Sequence, residues 1–293
     1  MEKTTKVREL LNQDGIIITP GGYDAMSAKI IEETGFDLML ATGAGISNSQ
    51  LGIADVGLTS MHEVMASVDH MAQATNIPII ADVDTGFGNA INLIRTIKEF
   101  EKIGAAGVQI EDQVSPKKCG HFSGKQVISK EEMVLKVKAA VDAREDYDFI
   151  IVARTDARAI YDLDEAISRA KAYAEAGADV TFVEAPRTKE ELQRIATELK
   201  GIPQMANMVE GGLTPLLSAQ ELEEMGFKIM ICANTALRAA VKNIRSAMQT
   251  LYNDKSHKNV HDLICTWEER QNLFELDRVK GLESTYLDLE GND

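Results

Sequence analysis

Apolar residues gather along the chain in short runs of Ile, Val, Leu and Met, each followed by a polar loop and a longer stretch with helical spacing. Eight such runs, at 16–20, 38–42, 78–82, 107–111, 149–153, 180–184, 203–207 and 228–232, have the length and β-branched content of strands. Between them, 89–103, 130–144, 163–176 and 188–199 place apolar residues three and four apart, the period of a helix with one buried face. Gly35, Gly104, Gly177 and Gly226 stand where a left-handed residue would end a helix before the next strand. Near-continuous apolar strands separated by helices predict a parallel sheet under a helical layer. Eight such units in 293 residues fit a closed (β/α)8 (TIM) barrel better than an open doubly wound sheet.

No Pro/Ser-rich linker interrupts this pattern, so 1–251 is expected to be one barrel domain, with 252–293 a C-terminal helical extension and acidic tail. After the polar break at 253–258, helical spacing resumes over 260–276, which contains the only tryptophan, Trp267. This segment is expected either to pack on its own barrel or to reach a neighbouring subunit. The acidic end from Gly281 is expected to fray.

Composition narrows the partners. With 44% hydrophobic and 26% charged residues the chain reads as an ordinary soluble globular protein. A net charge of -15 argues against nucleic acid, and a small anionic substrate would need a local cluster of positive groups or backbone N–H donors. The first eight residues are polar, and no stretch approaches the ~20 apolar residues of a membrane span, so no membrane partner and a cytoplasmic location are expected. Cys119, Cys232 and Cys265 give no disulfide framework and are expected to be reduced.

The chemistry of a (β/α)8 barrel sits at the carboxyl ends of its strands. Those ends carry Thr42-Gly43-Ala44-Gly45, Asp82-Val83-Asp84, Glu111-Asp112, Arg154-Thr155-Asp156, Glu184 and Asn207. After strand four comes Lys117-Lys118-Cys119-Gly120-His121, where positive neighbours favour a thiolate and make Cys119 a usable nucleophile or proton carrier. The alternative is a solvated basic turn. Asp82, Asp84, Glu111 and Asp55 are hard oxygen donors without nearby His or Cys, a set suited to Mg2+ or Mn2+ with waters retained rather than Zn2+. Asp82 and Asp84 could instead cap a helix or brace their loop. Arg154, directly after an apolar strand, suits a substrate carboxylate held by two N–H groups, or a structural bridge to Glu111 or Glu184. His62, His70, His257 and His261 read as solvated, and Cys232, Met205, Met208 and Met230 as packing.

Seven motifs, in order, resemble the isocitrate lyase / phosphoenolpyruvate mutase superfamily. They are Pro20-Gly21-Gly22-Tyr23-Asp24, Thr42-Gly43-Ala44-Gly45, Asp82-Val83-Asp84-Thr85-Gly86-Phe87-Gly88, Gln109-Ile110-Glu111-Asp112-Gln113, Lys117-Lys118-Cys119-Gly120-His121, Ala153-Arg154-Thr155-Asp156-Ala157 and Val183-Glu184-Ala185-Pro186. The resemblance implies a (β/α)8 barrel with its eighth helix exchanged between subunits, a homotetramer built as a dimer of dimers, and Mg2+ beneath a mobile loop. Lyases of the family carry the cysteine loop and the mutases and phosphonopyruvate hydrolases lack it, so the resemblance implies a carbon–carbon lyase.

Position by position, Asp84 resembles the direct metal ligand, and Asp55, Asp82 and Glu111 resemble holders of metal-bound water. Thr42, Gly43, Ala44 and Arg154 resemble the cradle for the 2-hydroxy or 2-oxo acid, and Cys119 the general acid. Lys117, Gly120 and His121 share the cysteine loop, Glu184 and Asn207 resemble residues that bind the loop or a second carboxylate, and Arg238 stands at the family's arginine after strand eight. Three departures bear on substrate. Leu40 stands where the family often has Tyr, and Cys232-Ala233-Asn234-Thr235 replaces a Tyr-Pro-Leu-Ser-like run. Phe122 stands where an Arg often follows the histidine. These favour 2,3-dimethylmalate slightly over 2-methylisocitrate, with cleavage to pyruvate and a carboxylic acid. Oxaloacetate decarboxylase, a phosphonate-cleaving or mutase relative, and a non-catalytic binding protein are the competing readings.

Overall fold

A computed structural model describes residues 1–118, 120 and 124–287. All eight expected strands form: β1 (Ile17–Gly22), β2 (Met39–Ala41), β3 (Ile79–Asp82), β4 (Gly107–Glu111), β5 (Ile150–Thr155), β6 (Val180–Val183), β7 (Gln204–Asn207) and β8 (Ile229–Cys232). Each pairs in parallel with the next, and β1 pairs with β8, closing the barrel. The helices are α1 (Lys3–Asn12), α2 (Ala25–Thr34), α3 (Gly43–Ile46), α4 (Met61–Ala74), α5 (Ala90–Lys102), α6 (Lys130–Ala143), α7 (Ala157–Ile160), α8 (Leu163–Glu175), α9 (Lys189–Glu198), α10 (Ala219–Met225), α11 (Thr235–Asp254), α12 (Trp267–Leu273) and α13 (Leu276–Tyr286). Gly35, Gly104, Gly177 and Gly226 all have positive φ, the left-handed conformation that stops a helix.

Strand alternation explains which residues reach the site. Ile17, Leu38, Leu40, Ile80, Val152, Phe182, Met205 and Ile231 form one buried cluster inside the barrel. Met39, Ile79, Ala81, Val108, Ile110, Ile151 and Ala153 pack instead with helix residues such as Met71, Leu93, Phe100 and Val137. Side chains two apart share a face of a strand. Continuing the inner rows by one step therefore turns Asp82, Glu111, Arg154, Glu184 and Asn207 toward the axis at the carboxyl end. α1, in a stretch whose polar sequence gave no strong periodic signal, closes the other end. Its Val7 is fully buried in the inner cluster, and Arg8 Nη1 pairs with Asp179 Oδ1 at 2.6 Å.

The chain divides into two compact units, Met1–Leu237 and Arg238–Asp293. In the second, the helical spacing over 260–276 is realised as a 3-10 turn at His261–Leu263 followed by α12 and the start of α13. The breaks come at Ile264 and Thr266, whose backbone is extended, and at Glu275, which has φ 57; a continuous helix can hold neither conformation. The stretch from Gly281 stays helical as far as Tyr286, and 288–293 lie outside the described residues. No described helix is long and apolar enough to cross a membrane.

Candidate active site

The turn after β3 is tightly wound. Asp84 (φ 51), Gly86 (φ 80) and Phe87 (φ 57) all lie in the left-handed region, and the fold holds this conformation with a buried lysine. Lys136 Nζ, reaching in from α6, donates to Thr85 O at 2.5 Å and Gly88 O at 3.1 Å. Asp84 N donates to Asp82 Oδ1 at 3.2 Å, and α5 is capped by Asn89, so Asp82 braces the turn and neither aspartate caps the helix. Opposite them, Thr42-Gly43-Ala44-Gly45 is no open loop. It forms α3, which runs into a wider turn at Ser47–Leu51. Gly43 lies so close that a Cβ there would be 3.1 Å from Asp82 Oδ2 and 3.4 Å from Asp84 Oδ1.

Three carboxylates in this space repel one another, and the chain answers with a lysine. Lys117 Nζ lies 2.5 Å from Asp55 Oδ1 and 2.9 Å from Asp84 Oδ1. Burial, then the charges of Asp82 and Asp55, push the Asp84 carboxyl up to about 7 against the opposing pull of Lys117. Burial works against the charge of Lys117, but Asp84, Glu111, Asp82 and Asp55 together hold its pKa well above the ordinary value. It stays an ammonium.

Arg154 centres the other half of the site. Its Nε meets Asp156 Oδ2 at 2.9 Å and Glu111 Oε2 at 3.4 Å, its Nη2 meets Asp156 Oδ1 at 3.1 Å, and its Nη1 meets Glu184 Oε2 at 3.2 Å. The guanidinium also lies over the Phe182 ring, 5.4 Å from its centroid. The bridges weighed against a substrate role are therefore present, and they fix the fork at the rim. Burial pushes Glu111 well above the usual carboxylate range, although Arg154 and Lys117 oppose this. Asp156 is held below the usual range: burial opposes its charge, but Arg154 and Lys125 outweigh that.

The segment after β4 leaves the rim as a narrow antiparallel pair. Val114 N donates to Gln126 O and Ile128 N to Asp112 O, each at 2.9 Å. Gln113 holds both backbone groups of Lys118, donating to its O at 2.8 Å and accepting from its N at 2.9 Å. Gly120 lies against the arginine cluster, where a Cβ would be 2.5 Å from Arg154 Nη2 and 2.8 Å from Glu184 Cδ. Cys119 and His121 lie outside the described residues. Of the described residues in this loop, Lys117 pairs with Asp55 and Asp84, and Gly120 packs against Arg154 and Glu184.

Thr42, Gly43, Asp82, Asp84, Asp55, Glu111, Lys117, Gly120, Arg154, Glu184 and Asn207 thus belong to one end of the barrel. Asn207 Oδ1 is buried without a hydrogen-bond partner among the described residues. Arg238 opens the second unit, on α11. Cys232 is half-buried, and burial pushes its thiol up, as packing rather than chemistry requires. Sequence reading passed over Lys125, Lys136 and the pairing of Asp156, because neither a lysine in a polar loop nor a lysine on a helix carries a signal of burial.

The donor set suits a hard divalent cation. Among the described residues, Asp84 Oδ1 has only the ion pair with Lys117 and Glu111 Oε1 is buried without a hydrogen-bond partner, and both carboxyls have pKa values raised chiefly by burial. Among the described residues no three His, Cys, Asp or Glu groups already form a closed ligand cage. Magnesium, which keeps several of its waters and takes few direct carboxylates, asks for no such cage.

A (β/α)8 barrel with inward carboxylates, a bridged arginine and a basic loop on its carboxyl rim has its polar groups where enzymes of this fold carry their chemistry. Comparison places it further. Residues 7–252 match the family model described as phosphoenolpyruvate phosphomutase. The chain is 47% identical over 286 residues to a 2,3-dimethylmalate lyase of Eubacterium barkeri, covering 98% of this chain and 99% of that protein. A 2-methylisocitrate lyase of Shewanella oneidensis is 45% identical over 251 residues, covering 86% of this chain and 85% of that protein. A crystal structure of 2,3-dimethylmalate lyase, described as a PEP mutase/isocitrate lyase superfamily member, superposes with a TM-score of 0.91 at 34% identity, covering 100% of this chain and 99% of that one. The chain belongs to this superfamily, and within it to the carbon–carbon lyases.

Proposed function

We propose that this enzyme cleaves a 2-hydroxy-2-methyl di- or tricarboxylate, 2,3-dimethylmalate before 2-methylisocitrate, to pyruvate and a carboxylic acid with Mg2+. The observation that carries the reading is the bracketing of position 119: Lys117 pairs with Asp55 and Asp84 on one side, and Gly120 packs on Arg154 and Glu184 on the other. A proton donor carried by this loop would serve a rim that can hold both a metal-side oxygen and a carboxylate.

Asp84, with Asp82, Asp55 and Glu111 through water, would hold the cation. Bound there, Mg2+ supplies Lewis acidity that lowers the pKa of the substrate's 2-hydroxyl and neutralises charge on the adjoining carboxylate. Thr42, Gly43 and Ala44 line one side of the 2-hydroxy acid end, and the Arg154 fork, pre-set by Glu111, Asp156 and Glu184, takes its carboxylate. Loss of the hydroxyl proton lets the C2–C3 bond break. Its electron pair passes to C3, which carries the second carboxylate and becomes a carbanion with enolate character. Cys119 gives that carbon its proton, with Lys117 and His121 beside it in the loop balancing the charge. Glu184 and Asn207 position the loop and the distal carboxylate.

We also assign 1–251 to the barrel domain and 252–293 to a C-terminal helical extension and acidic tail. α11 carries exposed Val241, Ile244, Met248 and Tyr252 at helical spacing, a stripe suited to exchange between subunits in a dimer of dimers. Sedimentation would show about four times the 32.1 kDa chain.

The test is pyruvate release from 2,3-dimethylmalate, 2-methylisocitrate, oxaloacetate and phosphonopyruvate, with Mg2+ and with chelator. Mg2+-dependent release from a methylated malate, with the acid co-product, is expected. Turnover confined to oxaloacetate or phosphonopyruvate would replace the reading with a decarboxylase or phosphonate-cleaving one.

A further inference from the structure

Lys125 is a cation buried among partners that only the rim can supply. Just 2% of its side chain is exposed, and its Nζ contacts Asp156 Oδ1 at 2.6 Å and Gly120 O at 2.5 Å. Carrying a lysine head out of water costs several kcal/mol unless charge and hydrogen bonds are returned, and here both are. The partners are telling. Asp156 is the carboxylate that grips Arg154 through Nε and Nη2, and its own backbone N–H is fixed by Asp112 Oδ1 at 2.9 Å. Gly120 is the residue that follows Cys119 and packs on Arg154 and Glu184.

One ammonium thus ties the carbonyl of the residue after the proposed acid to the carboxylate that orients the substrate arginine. Asp156 Oδ1 is shared between Lys125 Nζ and Arg154 Nη2, so the three groups form a short charge chain: loop, rim carboxylate, guanidinium. A shift of the loop at 120 pulls on the carboxylate that sets the Arg154 fork.

We propose that Lys125 is a positioning residue: it fixes the backbone at Gly120 relative to the Asp156–Arg154 pair, so the proton donor at 119 and the carboxylate fork keep one mutual register. Lys125 touches no reacting atom. It acts through Gly120 and Asp156. The proposal rests on the lyase reading for its kinetic consequence but not for its structural one, and the experiment separates the two.

Lys125→Met and Lys125→Arg would be compared with the parent enzyme by thermal unfolding, by amide hydrogen exchange over 113–127 with Mg2+ and oxalate present, and by steady-state kinetics on the best substrate. In Lys125→Met, exchange over 113–127 should rise at least about tenfold while the rest of the barrel keeps its protection and the melting temperature holds. kcat should fall roughly a hundredfold, the loss that misplacement of about an ångström brings, with KM within about threefold. Lys125→Arg, which can span the same two acceptors, should recover a large part of both. Unchanged exchange with kcat within about threefold of the parent would overturn the proposal. A lowered melting temperature with exchange raised throughout the barrel would overturn it too, assigning Lys125 to fold stability. If the parent enzyme turns over no substrate in the panel, the lyase reading fails while the exchange result still decides the role of Lys125.

Discussion

Lys117 Nζ lies 2.9 Å from Asp84 Oδ1, with 4% of the lysine side chain and 15% of the aspartate side chain exposed. A pair this sheltered is weakly screened by salt and does chemical work that a surface pair would not. The same ammonium reaches Asp55, so the loop that carries Cys119 supplies the counter-ion for the carboxylates that suit a metal.

Metal binding should therefore be linked to protons. Burial pushes the Asp84 carboxyl up to about 7, and it must be ionised to act as a ligand. Above that pH, affinity for Mg2+ is flat. Below it, each unit should weaken affinity about tenfold, because the incoming cation must displace a proton. Lys117→Met removes a charge that pulls the Asp84 pKa down, so the bend should move to higher pH. Calorimetric titrations with Mg2+ between pH 6 and 8 test this; a parent protein with no bend, and no proton release, would sink it.

Asp84→Asn keeps a residue that tolerates left-handed backbone, so the turn at φ 51 should survive while the charge is lost. Mg2+ binding and pyruvate release should both disappear with the circular dichroism spectrum unchanged. Mg2+ affinity equal to that of the parent would remove Asp84 from the ligand set.

Cys119→Ser keeps a donor of similar shape but raises its pKa by several units. Turnover should drop by orders of magnitude with oxalate affinity within about threefold. Near-normal turnover would take position 119 out of the mechanism and favour decarboxylation, which needs no protonation by this group.

Gly120→Ala tests the packing of the loop on the rim. A new Cβ would lie 2.5 Å from Arg154 Nη2 and 2.8 Å from Glu184 Cδ, too close for any real contact. Either the loop lifts or the guanidinium turns, and both should cost activity by roughly tenfold to a hundredfold. A variant with parental kcat and KM would show that Gly120 does not pack on this pair during turnover.

The barrel was legible because its signals are local and repeated: eight apolar runs, helical periods between them, and glycines that prove left-handed. The inward set at the rim was legible for the same reason, since Asp82, Glu111, Arg154 and Glu184 each close an apolar strand. What escaped is what depends on long-range contact. Nothing near Lys125 in sequence announces that Asp156, 31 residues away, will bury it. α1 was missed because its helical period buries little more than Val7, and its anchor is an arginine pairing with Asp179. The helical spacing over 260–276 is interrupted twice, by extended backbone at Ile264 and Thr266 and by the left-handed Glu275, conformations that no periodicity reports.

Behind the rim, on the outer side of β4, Asp112 is fully buried and accepts from Thr155 Oγ1 at 2.7 Å, Asp156 N at 2.9 Å, Arg169 Nη1 at 3.1 Å and Tyr173 OH at 2.8 Å. Burial, then the nearby charge of Asp156, raise its pKa, while hydrogen bonds including that of Tyr173 pull it down. Tyr173→Phe deletes one donor to a buried carboxylate and should cost about 1–3 kcal/mol. The cost has a pH dependence of known sign. A carboxyl whose folded pKa lies above its unfolded value destabilises the fold when ionised, and that penalty fades as pH falls through the folded pKa. Without the tyrosine hydroxyl the folded pKa rises further, so the deficit should be largest at neutral pH and shrink as the pH is lowered. Mg2+ affinity should not change, because this network faces the helices rather than the barrel axis. Urea unfolding across a pH series provides the measurement, and equal stability of variant and parent at neutral pH would show that Tyr173 does not support Asp112.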